Sequence, residues 1–390
     1  MKSRLSVYLL VTLPVCSAFA EDKVTDIEVA PLTNIFAPLY HDATQVQWSI
    51  TANAYSPTQS IHSFVDDWDA PLESGDYAYA QGRAGVEIMP AQSMFSYGLD
   101  WRYDYLMKFS ESTAQVYHQY KNKQISTHSQ VYPLSLQVQH NERLGIHIGT
   151  QATLFDDWTL DTKAHLWKGL HSIDGQIYGQ LLSRVPTNQP SASSKDSVDK
   201  AVARLDYYYD KPALGEENLN WHPATPQGYG YSFDISLQGQ LTDNTQLNIQ
   251  AYDVLGHMYW KDIASTNYDL EYGVNRRPVY TIEGKLLTKD VRQHLPWQVE
   301  ASLTHQLDNQ WQLGLQTQSN EYSTLYQLSA GYPFQLDSTP VVVTGIVEPQ
   351  TQAFGVEVDS AYGGVKFLAD SLNSHSAKRA EISLYGRYHW

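Results

Sequence analysis

Fourteen histidines are spread through this chain of 390 residues, with 42 acidic residues, 26 lysines and arginines and a single cysteine. Acid–base, nucleophilic or metal chemistry needs such groups held by partners, and the local spacing supplies none. His165, His171, His257, His294, His305, His375 and His389 are scattered, each without a neighbour that would mark it. There is no Gly-x-Ser-x-Gly turn, no His-Glu-x-x-His, no cysteine pair and no phosphate-binding glycine loop, so the sequence predicts a non-enzyme with no cofactor and no dedicated metal site. Asp66, Asp67 and Asp69 could share a divalent cation, but the run lacks the spacing and glycine of a calcium loop. Trp68, set between them, reads as a sugar-stacking residue or as a loop anchor.

A different arrangement of charge recurs along the chain. Arg83 and Glu87 share a face of an extended segment, as do Asp100, Arg102 and Asp104, Arg204 and Asp206, and Glu381, Arg387 and His389, while Asp234 and Glu300 fall on the polar side of two further segments. Rows of opposite charge facing one another across a pore would set up a transverse field that selects permeants, and the same rows could equally knit neighbouring strands together.

The segments that carry these charges alternate with a period of two. Phe95, Tyr97, Leu99, Trp101, Tyr103 and Tyr105 oppose Ser96, Gly98, Asp100, Arg102 and Asp104. Tyr229, Tyr231, Phe233, Ile235 and Leu237 oppose Gly230, Ser232, Asp234 and Ser236, and Trp297, Val299, Ala301 and Leu303 face away from Gln298, Glu300 and Ser302. Only 17% of the residues are charged, against about 25% in an ordinary soluble chain. The formal net charge of −16 leaves no basic surface to neutralise phosphates, which excludes nucleic acid as a partner.

The two ends give the compartment. Lys2 and Arg4, the apolar run 7–15 and Ala18-Phe19-Ala20 have the form of a cleaved secretory signal over residues 1–20. Lipidation at Cys16 is the alternative, and Val15 stands where that signal wants a small residue. At the other end Ala380, Ile382, Leu384, Gly386, Tyr388 and Trp390 alternate with Glu381, Ser383, Tyr385, Arg387 and His389 up to the last residue. Together with the absence of any apolar run long enough for a membrane helix, this resembles the Gram-negative outer-membrane β-barrels, porin-like proteins whose closing strand ends in Phe or Trp. The resemblance implies an all-β, transmembrane, antiparallel up-and-down barrel, with a C-terminal closing strand read by the barrel-insertion machinery. It also implies an exterior against outer-membrane lipid and lipopolysaccharide, whose phosphates could be bridged to the acidic run 57–76 by shared divalent ions. Phe95, Tyr97, Trp101, Tyr103, Tyr105, Tyr229, Tyr231, Trp297, Trp311, Tyr388 and Trp390 would be its membrane-interface aromatics, and Arg83, Glu87, Asp100, Arg102, Asp104, Arg204, Asp206, Asp234, Glu300, Glu381 and Arg387 its lumen-facing charges.

Acidic turns at 155–160, 241–247 and 307–313, taken as periplasmic, allow a strand count back from Trp390. The count gives a barrel over residues 45–390 of about 18 strands (range 16–20), including strands starting near Ser112, Leu144, Ser172 and Ala201, with both termini in the periplasm. Residues 263–294 hold a hairpin that either stands above the barrel or adds two strands. Residues 185–200 become a periplasmic connector, and 21–44 a lead that is loose or partly plugs the lumen. So many strands enclose a bore too wide for side chains alone to fill, which predicts a channel for small polar solutes. The alternative is a non-conducting barrel that serves as docking or assembly partner of a secretion, pilus or surface-polysaccharide system.

Overall fold

Where apolar and polar residues alternate, the chain is extended, and each strand finds its hydrogen bonds in the next. The computed structural model describes residues 36–39, 41–65, 68–124, 126–154, 158–185, 198–212, 220–274, 278–308, 310–336 and 339–390. The expected signal, most of the 21–44 lead, and Asp66 and Asp67 lie outside these residues. In chain order the elements are β1 (Phe36–Pro38), β2 (Gln45–Tyr55), α1 (Ile61–Val65), β3 (Tyr77–Met89), β4 (Phe95–Phe109), α2 (Glu111–Lys121), β5 (Val131–Leu154), β6 (Trp158–Ser183), β7 (Val198–Tyr209), β8 (Gln227–Thr242) and β9 (Thr245–Val274). They continue with β10 (Pro278–His294), β11 (Gln298–Gln306), β12 (Gln312–Asn320), β13 (Thr324–Leu336), β14 (Thr339–Glu348), β15 (Ala353–Ser360), β16 (Gly363–Ala369) and β17 (Arg379–His389).

All pairings are antiparallel, and β17 pairs with β2 from Arg379 opposite Tyr55 to His389 opposite Gln45, which closes the ring. Among the described residues fourteen strands form that ring, and β7 and β10 stand outside it. The lower half of β6 pairs with β8 and its upper half with β7. The lower half of β9 pairs with β8 and β11, and its upper half with β7 and β10. The wall is therefore tall on one side, where β5, β6 and β9 have 24, 26 and 30 residues, and low around β15 and β16, with 8 and 7. A tilted strand crosses the membrane with about 9–11 residues, so the upper halves of the long strands project beyond it.

The expected count of about 18 is thus corrected to fourteen. The strands placed near Leu144 and Ser172 are the second halves of β5 and β6, which run on through a bulge opposite Glu142 and Arg143 that shifts the alternation. The strand placed at Ser112 is α2, because Ser110 caps it by accepting a hydrogen bond from the Thr113 backbone N–H at 3.2 Å. The strand placed at Ala201 is β7, stacked above β8 at one position of the wall. With β6 unbroken, the connector after Ser183 leaves from the end opposite the termini, not from the periplasmic end as expected. The hairpin of 263–294 takes the first of its two options and stands above the ring. Residues 36–38 pair with β5 at Ala152–Leu154, the end of the ring near the C-terminus.

The wall is inside out relative to a soluble protein. Trp48, Val86, Leu99, Ile146 and Leu166 lie opposite one another on consecutive strands, and all point outward with 44–65% of their surface exposed. Arg102, Asp104, Arg143 and His165 point inward and are buried. No helix among the described residues is long and apolar enough to cross a membrane. The strands of the closed ring pair their backbone groups with both neighbours, as a wall against lipid requires. Leu166→Arg, which places a cation against lipid, is expected to destabilise the barrel by about 2–4 kcal/mol, measured by urea titration of folding in lipid vesicles; a polar, solvated exterior would leave the midpoint unchanged.

Candidate functional site: a charged web across the bore

Along β4 the even-numbered residues face inward, and Asp100, Arg102 and Asp104 stack up that face. Arg102 grips the carboxylate of Asp234 on β8, with 3.1 Å between Nη1 and Oδ1, and reaches Asp253 Oδ2 on β9 at 2.8 Å. Arg143 on β5 meets the same Asp253 oxygen and Asp104 Oδ2, each at 2.8 Å. Both guanidinium groups lie over the Trp167 ring, at 4.9 and 5.2 Å from its centroid. A charge removed from water at this depth is tolerated only when paired and hydrogen bonded, and here each of the two arginines has two carboxylate partners.

The web crosses the bore. Arg83 on β3 donates to Gln298 Oε1 on β11 at 2.7 Å and stacks 3.7 Å over Tyr252, with Glu300 at 3.9 Å. In a ring of fourteen, β3 and β11 are six positions apart, nearly a diameter. Asn53 on β2 and Gln318 on β12, also six apart, are joined at 2.7 Å. Opposite walls that touch through single side chains mean that the ring is flattened. Side chains thus reach across a bore expected to be too wide for side chains alone to fill.

A second knot lies on the β13–β17 side. Arg379 binds Glu348 with two nearly parallel bonds of 2.8 and 3.1 Å and meets Glu381 at 2.5 Å, while Lys366 bridges Glu381 at 2.7 Å and Gln327 at 2.8 Å. Between the two knots is a polar chamber of about 170 Å³, bordered by Asn53, Arg83, Glu300, Gln318, Lys366 and Glu381.

Of the charges picked out from sequence, Arg83, Glu87, Asp100, Arg102, Asp104, Asp234, Glu300 and Glu381 face the bore and belong to these networks. Arg204 and Asp206 are on the same face but above the ring, where Arg204 pairs loosely with Asp269 at 3.9 Å. Arg387 sits near the C-terminal rim, over the Tyr385 ring. Phe95, Tyr97, Tyr229, Trp297, Trp311, Tyr388 and Trp390 are exposed, whereas Trp101, Tyr103, Tyr105 and Tyr231 are half-buried among outward-facing neighbours.

Sequence reading missed Arg143, Asp253, His147, Lys163, Glu348, Lys366 and Arg379. A break assumed at Leu144 hid Arg143 and His147, although they continue the inward row of Asn141, Gly145 and Gly149. Arg379 is one step of the same period before Glu381. The histidines do have partners, distant in sequence: His165 meets Asp234 at 3.1 Å and His171 meets Asp210 at 2.8 Å. Trp68 is buried against Phe64 and Tyr117, as a loop anchor would be.

A second cavity, of about 790 Å³, lies outside the bore. α2, with Trp68 and Phe64, covers the outward face of the tall sheet, where Leu136, Ile177 and Leu270 supply an apolar floor. This face continues the outward row of Leu144 and Ile146, so the cavity has no part in the lumen.

A closed antiparallel ring with an apolar exterior and a charged interior defines the chain as an outer-membrane β-barrel. No sequence-family model and no curated protein matches it. Among solved structures it is similar to the Ralstonia pickettii toluene transporter TbuX (10% identity, 89% of each chain, TM-score 0.35). It is also similar to a Pseudomonas aeruginosa FadL homologue (10%, 89% of this chain and 90% of that, TM-score 0.31) and to the β-domain of the Bordetella autotransporter BrkA (10%, 89% and 99%, TM-score 0.22).

Proposed function

We propose that this barrel is a gated channel for small polar solutes, closed at rest by the web of Arg102, Arg143 and their carboxylates. The observation that carries the reading is that side chains bridge the bore around a polar chamber, Arg83 to Gln298 and Asn53 to Gln318. Such a closure opens by rotamer changes and water entry, without the removal of a domain. A bore lined by guanidinium, carboxylate and amide groups favours solutes that replace those hydrogen bonds and rejects hydrocarbons. In this reading residues 1–20 direct export, the strand ending at Trp390 is presented to the insertion machinery, and the belt of Phe95, Trp311 and Tyr388 meets lipid and lipopolysaccharide.

In planar bilayers the purified protein is expected to show brief, discrete current steps on a closed baseline, and vesicles containing it should swell in small sugars or amino acids. The closure itself favours one rival, a non-conducting barrel that docks a secretion, pilus or polysaccharide system. Silence at high protein loading, persisting after the web is cut, would decide for the rival.

A further inference from the structure

Asp100 on β4, His147 on β5 and His165 on β6 converge on the periplasmic side of the web, their donor atoms all within 4.8 Å of one another. His165 Nε2 lies 3.1 Å from Asp234 Oδ2 and 3.4 Å from Arg102 Nη2. Its Nδ1 is buried, without a hydrogen-bond partner and 3.3 Å from Asp100 Oδ2. His147 repeats the pattern. One nitrogen meets Asp100, and Nε2, buried and unpartnered, is 3.6 Å from Glu87 Oε1, itself unpartnered. His165 Nδ1 and Asp100 Oδ2 thus face each other in the buried cluster with no hydrogen bond to Nδ1.

We propose that this cluster binds one divalent transition-metal ion, with His165 Nδ1, a ring nitrogen of His147 and Asp100 as ligands. Metal–donor bonds of about 2.0–2.2 Å in a tetrahedral site set neighbouring donors about 3.3–3.6 Å apart, which is the spacing of His165 Nδ1 and Asp100 Oδ2. Asp234 holds the far nitrogen of His165, the outer carboxylate that orients a ligating imidazole. Two imidazoles with a carboxylate suit zinc, cobalt or nickel over calcium or magnesium. The site stands whether or not the bore conducts, so its test is separate from that of the channel.

Purified protein in detergent, stripped with chelator and dialysed against Zn²⁺, is expected to retain one ion per barrel. Co²⁺ in its place should give the intense visible absorption of a four-coordinate nitrogen–oxygen site. His165→Gln and His147→Ala, checked for folding by gel migration before and after heating, should lose the ion, while His305→Ala, at a periplasmic turn, should keep it. No stoichiometric Zn²⁺ in the unaltered protein, or full retention in folded His165→Gln, overturns the proposal. If both variants fail to fold, the Co²⁺ spectrum decides, and a pale, octahedral spectrum overturns it.

Discussion

Replacing Arg102 and Arg143 together by alanine is expected to turn the barrel into a wide, cation-selective pore, with current steps in planar bilayers several-fold larger than any of the unaltered protein. The two guanidinium groups fill the middle of the bore, and they are what allows Asp104, Asp234 and Asp253 to approach one another. Without them, carboxylates about 4 Å apart repel by about 4 kcal/mol per pair at an effective dielectric constant of 20, enough to drive side chains apart and draw in water and cations. The acidic lining then sets the selectivity, read from the reversal potential in a salt gradient. Arg204→Ala, which removes an exposed arginine above the ring, should leave the trace unchanged. A double variant that folds but stays as closed as its parent would show that something other than this web seals the lumen.

The largest loss of stability is expected at Arg379. Its guanidinium and the Glu348 carboxylate are both fully buried, joined by two bonds, with Glu381 as a third partner. Arg379→Ala leaves Glu348 in the wall without its counter-charge and Glu381 with Lys366 alone, a change that costs about 3–5 kcal/mol when one member of a buried pair is removed. Arg379→Lys should recover only part of the loss, because an ammonium cannot make the two parallel bonds. Arg379→Met with Glu348→Gln should cost less than Arg379→Ala, since no unpaired charge is left at position 348. Urea midpoints of vesicle-folded barrels, or the temperature at which the folded gel band disappears, would rank the three. Equal midpoints for Arg379→Ala and the unaltered protein would mean that water reaches this knot freely.

The outward and inward faces were legible in residues 95–105, 229–241 and 379–390 because a strand's side-chain period is two and the membrane demands one apolar face. Extending the same period by one step would have found Arg379. Counting strands failed where length had to be judged: the 26-residue β6 looks like two strands because a bulge at Leu170 interrupts its alternation, the 24-residue β5 because His140 and Glu142 break its outward apolar row, and β7 looks like a wall strand when it is stacked on β8. α2 was hidden because its short stretch mixes apolar and polar residues without a strong period, and what starts it is the cap at Ser110.

Alternation, composition and the terminal aromatic strand determine from sequence alone that this chain closes as a barrel with grease outside and charge within, since those are nearest-neighbour properties of the backbone. Which charges meet is decided only in three dimensions. Arg102 reaches Asp234 across 132 positions, Arg83 reaches Gln298 across 215 and Arg379 reaches Asn53 across 326. Those pairings depend on the number of strands in the ring and on its flattening, and these follow from how the long strands pair, not from any local run of residues.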